Sequence, residues 1–289
     1  MKLSLLTFNA GLLDINFFGI PIFKPAAFIK QRLHNIPAEL IKTKADIISL
    51  QEVFLPKHQN YLVSMLHDQF PYHSFSKTPL FNLGSGLMIF SKYPIKNWSF
   101  KKYSEPGTLD EAIFITRGFI STEIEINRDI KFALYNTHLT SGGALFKSNH
   151  PKTIKIRSLQ IKEILSFSEK SLPMDTFILG DFNSGPTISR INYEYILKQG
   201  FRDIYKEYCE SNKKQENDTW DNGNPLHKNN TVSQSSRLDH IFFFSKNNHT
   251  EIINSKTTLS DNIVWINNNK RKVIPLSDHY GLQAILKIK

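Results

Sequence analysis

Phe177-Ile178-Leu179-Gly180-Asp181-Phe182-Asn183 reads as a short apolar strand that stops at a glycine and is followed by a carboxylate and an amide. Residues i and i+2 of an extended segment share a face, so the spacing predicts that Asp181 and Asn183 converge on one object. A hydrated cation beside a phosphate suits those side chains. Gly180 frees the backbone to bend. Alone, a Gly-Asp pair after a strand is an ordinary turn. Four other segments make it a pattern. Leu5-Leu6-Thr7-Phe8-Asn9 is an apolar strand ending in Asn, and Ile47-Ile48-Ser49-Leu50-Gln51-Glu52 ends in Gln-Glu. Phe132-Ala133-Leu134-Tyr135-Asn136-Thr137-His138 ends in His, and Arg237-Leu238-Asp239-His240 precedes Leu276-Ser277-Asp278-His279. Several strand ends bringing ionisable groups to one place is how open sheets assemble active sites.

Taken in order, Asn9, Gln51-Glu52, Asn136-Thr137-His138, Gly180-Asp181-Phe182-Asn183, Leu238-Asp239-His240 and Ser277-Asp278-His279 resemble the endonuclease/exonuclease/phosphatase superfamily. That superfamily includes pancreatic deoxyribonuclease, exonuclease III, the inositol polyphosphate 5-phosphatases and the neutral sphingomyelinases. One of these motifs is weak; the ordered set spans nearly the whole chain and is specific. The resemblance implies an α/β four-layer sandwich: two mixed, mainly antiparallel β-sheets flanked by helices, with residues 1–289 as a single catalytic domain. It also implies hydrolysis at phosphorus with Mg2+, for which Mn2+ can substitute. Asn9, Glu52 and Asp278 match the metal-site positions, and a hard cation that keeps several waters needs few such oxygens. The chain has no Cys cluster and no His-x-x-x-His helix, which argues against zinc.

His138, Asp181, Asn183, Asp239 and His279 match the catalytic positions. By resemblance, His279 takes a proton from the attacking water and Asp239 orients it. His138 stabilises charge on a nonbridging phosphate oxygen. Asp181 is a rival proton acceptor, and the sequence does not separate the two roles. His240 stands where many relatives carry Tyr. It points to the opposite face of a regular strand and is left out of the site.

Composition sets wider bounds. A chain of 289 residues fits one large α/β domain or two small ones. The single cysteine, Cys209, forbids an intramolecular disulfide and fits a reducing compartment. No run reaches the length of a spanning helix, and the first residues do not read as a signal peptide. The expectation is therefore a cytoplasmic protein, or one exported without a cleaved signal. The formal charge of +10 suits a polyanion: an anionic membrane surface, a phosphorylated substrate or a nucleic acid. Dispersed solubilising lysines would give the same count.

No internal repeat or long linker is apparent. Strands are expected at 3–9, 47–51, 86–91, 112–126, 131–138, 176–180, 238–245, 251–257 and 281–288. Helices are expected at 24–44, 56–66, 153–167 and 188–198. In the first helix Ile29, Leu33, Ile36 and Leu40 share a face, and Pro37 should kink or split it. Residues 211–236 read as a long polar loop.

The motifs leave the substrate open. Segments Gly84–Ile95, Gly200–Tyr205, Asn230–Ser233 and Pro275–His279 look closest to the neutral sphingomyelinases. The apolar stretch from Gly11 to Phe28 would suit a lipid surface if it lines the rim, and is ordinary core if it packs inward. The first reading is a phospholipase C-type enzyme acting, as a monomer, on sphingomyelin or a related phospholipid. The alternative is a metal-dependent nuclease. A phosphoinositide or other phosphomonoester phosphatase ranks lower, because no Trp precedes Gly180-Asp181 and no Pro-Ala-Trp-Cys-Asp run exists. A catalytically silent binding module is disfavoured by the complete motif set. The absence of a disulfide, a signal peptide and a C-terminal membrane helix points to a bacterial relative of the known sphingomyelinases.

Overall fold

Most of the expected apolar runs become strands of two six-stranded sheets in the computed structural model, which describes residues 1–17, 20–79, 82–171, 174–227, 234–245, 250–268 and 270–288, without the side chains of 16–23 and 267–271. The first sheet runs Thr250–Thr258, Gly281–Ile288, Lys2–Asn9, Ile47–Gln51, Met88–Ser91, Tyr72–Phe75. The second runs Arg202–Asp203, Asp239–Phe244, Asp175–Asp181, Lys131–His138, Gly118–Glu125, Ile95–Lys102. Lys2–Asn9 pairs parallel with Ile47–Gln51, and Lys131–His138 with Asp175–Asp181; the other neighbours are antiparallel.

The central strands read as continuous apolar runs because both of their faces are covered. Leu3 and Leu5 pack with Ile89, Leu134, Phe177, Leu179 and Ile241 in the layer between the sheets. Leu6 and Phe8, on the other face, pack with Ile36 and Leu40 of helix Ile29–Lys42 and Leu62 and Leu66 of helix Pro56–Leu66. Beyond the second sheet, Tyr135, Ile178 and Phe242 pack with Ile161 and Ile164 of helix Pro151–Ser168 and Ile196 of helix Arg190–Lys198. The expected four-layer sandwich is what these clusters describe.

Three expectations need correction. Residues 112–126 are not one strand: helix Leu109–Phe114 precedes strand Gly118–Glu125. The Glu111 carboxylate accepts from the amide and hydroxyl of Thr108, a start signal spelled Thr-Leu-Asp-Glu. Pro37 does not split its helix, which runs unbroken to Lys42. Burial of Ile36, Pro37 and Leu40 offsets the missing amide bond. Residues 204–211, read as part of no element, form a helix whose first amides, from Tyr205 and Lys206, donate to the Asp203 carboxylate. In the apolar stretch after Asn9, Leu12, Leu13 and Ile15 are buried, which favours core over membrane rim there. Phe17 and Phe18 belong to the part whose side chains lie outside the described residues, as do residues 228–233 of the long loop.

A buried polar tie joins the two sheets at the end where the motifs gather. Asn136 of the second sheet donates to the Leu50 and Met88 carbonyls of the first, both at 2.9 Å. Its oxygen accepts from Gln51 at 2.7 Å. Replacing Asn136 by Leu removes all three of these buried hydrogen bonds, at an expected loss of about 3 kcal/mol. Urea unfolding checks this; a change below about 1 kcal/mol would refute the tie.

Candidate active site

Strand register sets the site. His138 stands opposite Asp181 in the parallel pairing, and Asp181 opposite Asp239 in the antiparallel one. Three ionisable side chains therefore end three adjacent strands at one level. Gly180 makes the close approach possible: a Cβ there would lie 1.9 Å from the Thr137 carbonyl oxygen. The strand stops at Asp181, and Asn183 takes a left-handed backbone, φ 49°. The same-face expectation for Asp181 and Asn183 is thus corrected, since the segment is no longer extended. The Asn183 amide instead donates to Asp181 Oδ1 at 2.8 Å, and its side chain to the Leu139 carbonyl at 3.0 Å.

Asp181 is the hub. Its Oδ2 accepts from Asn9 Nδ2 at 3.0 Å and lies 3.4 Å from His138 Nε2 and 3.8 Å from His279 Nε2. Glu52 Oε1 lies 3.4 Å from Asn9 Nδ2 and 4.0 Å from His138 Nε2. His279 Nδ1 donates to Asp239 Oδ2 at 2.9 Å; the carboxylate only accepts, so Nδ1 carries the proton. Glu52 also has a left-handed backbone, φ 61°, a conformation that non-glycine residues hold only where surrounding structure imposes it. Asp278 sits partly exposed at the rim, hard against Gly11, where a Cβ would come within 2.2 Å of its Oδ1. The loop before His279 is tied down by the Ser277 hydroxyl, which donates to the Asn9 carbonyl at 2.7 Å. His240 faces the other way, as expected, with its ring between the Ser184 carbonyl and Arg237.

Burial governs the electrostatics. It pushes the Glu52 carboxyl up, helped by Asp278, against the charges of His279 and Arg117. It pushes Asp181 up too, with Asp239 adding and His279 opposing. Burial, then Arg117 and His279, depresses His138, leaving a neutral imidazole. Burial would depress His279 as well, but Asp239 and Asp181 outweigh it and lift the ring to about 10. Crowded oxygen donors that raise one another's pKa fit a hard divalent cation. Asp181, Asp239 and His279 also offer atoms within 4.8 Å of one another. The Asp239–His279 hydrogen bond already engages two of these three, while Asn9 turns its Nδ2 toward Glu52 and Asp181 and its Oδ1 to the Gly11 amide.

The profile of the Endonuclease/Exonuclease/phosphatase family matches residues 6–279. The chain belongs to this family. Among curated family relatives, a Dictyostelium discoideum sphingomyelinase is 28% identical over 56% of the chain and 43% of its own length. A Drosophila melanogaster protein, named provisionally as a neutral sphingomyelinase, is 24% identical over 98% of the chain and 62% of its own length. The chain thus spans about half the length of the curated relatives it matches. Staphylococcus aureus beta toxin matches with a TM-score of 0.78 at 22% identity, covering 99% of this chain and 100% of the toxin. A mutant of that toxin with bound magnesium ions matches at 0.73 and 23%, covering 98% and 99%. The D. rerio TDP2 complex with a single-strand DNA product matches at 0.72 and 17%, covering 99% of each chain. These structural likenesses are likenesses of fold.

Sequence reading of the family motifs missed the support behind them. Arg117 and Glu111 form a buried ion pair at 2.7 Å, and Arg117 acts electrostatically on both His138 and Glu52. Thr219 accepts from the amides of Leu238 and Asp239 and so fixes the Asp239 strand end. Only the Thr-x-x-Glu box was legible locally; the other partners are distant in sequence.

Glu111 gives a pH prediction. Burial pushes its carboxyl up, but Arg117, the Thr140 hydroxyl and the Ser141 amide outweigh burial and bring it from 4.5 down to about 2. A depressed folded-state pKa contributes stability above pH 4.5 that is lost as pH falls toward 2. Urea unfolding across that window should lose a few kcal/mol in the wild type. Glu111→Gln should start less stable at neutral pH and show a shallower acid limb; an unchanged limb would remove Glu111 from the account.

Proposed function

We propose that the chain is a Mg2+-dependent phosphodiesterase of the phospholipase C type, releasing phosphocholine from sphingomyelin or the head group of a related phospholipid. Residues 1–289 act as one catalytic domain and as a monomer. The observation that carries the reading is the Asp239–His279 hydrogen bond facing Asp181 and His138 beside a half-buried carboxylate, Glu52. Family membership supports the phosphorus chemistry, and the names of the curated relatives support the lipid.

Glu52, with Asn9 and Asp278, would hold Mg2+ or Mn2+, which would supply charge stabilisation at the phosphate. His279, oriented by Asp239, removes a proton from the attacking water once its ring is neutral. Asp181, 3.8 Å from His279 Nε2, is the alternative acceptor. His138 is neutral and faces carboxylates with Nε2, so it can donate from there to a nonbridging phosphate oxygen. Asn183 contributes by donating its backbone N–H to Asp181 Oδ1, which holds that carboxylate in place. Water oxygen bonds to phosphorus as its proton passes to the base, the bond to the alcohol oxygen breaks, and that oxygen takes up a proton from solvent. The charge of +10 suits an anionic bilayer surface. No helix among the described residues is long and apolar enough to cross a membrane. The same charge, with the fold likeness to a DNA-bound TDP2, supports nucleic acid as the second reading.

Purified protein with Mg2+ should release phosphocholine from sphingomyelin-containing vesicles and nick plasmid only in traces. Chelator and Glu52→Gln should each abolish release. Asp239→Ala and His279→Ala should each lose orders of magnitude in turnover, and the double variant little more than the worse single one, because paired groups are non-additive. Robust nicking that His279→Ala removes, with no head group released, would replace the lipid reading by the nuclease. Full turnover in chelator would end the metal reading.

A further inference from the structure

Two loops carry the ends of the first sheet into the site: the one after Asn9 and the one holding Ser277, Asp278 and His279. A single buried cation grips both. Arg32, on helix Ile29–Lys42, is 0% exposed. A guanidinium has five N–H donors in a fixed planar fork. Here all five go to main-chain carbonyls. Nε donates to Ala27 at 2.8 Å, Nη1 to Ala10 and Leu276, both at 2.9 Å, and Nη2 to Gly11 at 2.6 Å and Ala26 at 3.3 Å. Ala10 and Gly11 directly follow Asn9, and Leu276 directly precedes Ser277.

None of these five partners is a carboxylate. Burial lowers the pKa of the group to about 10, and the carboxylates that oppose this, Asp278 and Glu52, act through space. Burying a guanidinium without a contacting counterion is expensive, so the site's own acids are its electrostatic balance. The junction has little slack. Gly11 is already packed against Asp278, and the Ser277 hydroxyl closes on the Asn9 carbonyl. A shift of either loop would change the distance between the groups that hold the cation and the histidine that moves the proton.

We propose that Arg32 is a positioning residue for the phosphodiester chemistry: its fork fixes the Asn9 loop against the Asp278–His279 loop. This rests on the function proposed above. A point-charge ammonium cannot satisfy five carbonyls in a plane, so Arg32→Lys keeps the charge and loses the clamp.

The test compares wild type with Arg32→Lys and Arg32→Gln in two ways. The first is kcat and KM on bis-p-nitrophenyl phosphate, a soluble diester, per folded molecule. The second is Mn2+ affinity by calorimetry with no substrate present. Arg32→Lys is expected to fold cooperatively, to lose roughly 10- to 100-fold in kcat with KM little changed, and to bind Mn2+ roughly 10-fold more weakly. Arg32→Gln should lose at least as much. Wild-type kcat and Mn2+ affinity per folded Arg32→Lys molecule would overturn the proposal. Failure of both variants to fold would assign Arg32 to the fold alone and overturn it as well. The metal arm keeps the two readings apart: a wild type inert toward lipid and DNA would refute the proposed function, while a Mn2+ affinity lost in Arg32→Lys would still support the clamp.

Discussion

The register of strand Asp175–Asp181 between its two neighbours is the constraint on which the rest of the molecule depends. It places Asp181 level with His138 on one side and Asp239 on the other. Side chains alternate with period two, so a slip of one residue would send Asp181 to the outer layer. Two features hold the register. Gly180 approaches Thr137 too closely for any side chain. On the outer face, His240 is locked between Ser184 and Arg237, and Arg237 is paired with Asp203 at 2.7 Å. The structural histidine and the proposed catalytic aspartate are neighbours in sequence and serve opposite faces of one strand.

The second organising fact is charge. Glu52, Asp181, Asp239 and Asp278 gather at one end of the sandwich, and burial pushes the carboxyls of Glu52 and Asp181 up. The chain offsets this with cations that are themselves fixed by other groups. Arg117 is held by Glu111, and Arg32 by carbonyls. Arg157 is held by the Ser148 carbonyl and the Ser148 and Ser189 hydroxyls, with Asp181 acting on it through space. A site built this way is poised for a mobile cation, since its resident cations are committed elsewhere.

Much of this was legible from local pattern. The strand limits at Ile47–Gln51, Lys131–His138 and Gly281–Ile288 and the helix Pro56–Leu66 follow the sequence reading. The polar strand ends, Asn9, Glu52, His138, Asp181 and Asp239, do converge. What escaped was short or edge structure: Tyr72–Phe75 and Ile95–Lys102 have polar or exposed positions and no continuous apolar run. The helix at Leu109–Phe114 was absorbed into a strand because Ala112 to Phe114 is apolar and the box that starts it lies upstream.

By itself the sequence determined the strands that are covered on both faces, because double burial demands unbroken apolar runs, and it determined which strand ends carry ionisable groups. Only the tertiary structure decided the direction of each side chain after the strands stop. Asn183 turned to Leu139 because the backbone left the extended region, and Leu12 and Leu13 turned inward although their composition suited a surface. It alone decided that Arg32, one charged letter on an apolar helix face, would close the junction between Ala10 and Leu276. Contacts between residues hundreds of positions apart are chosen by packing and charge balance over the whole molecule, and they leave no local trace in the chain.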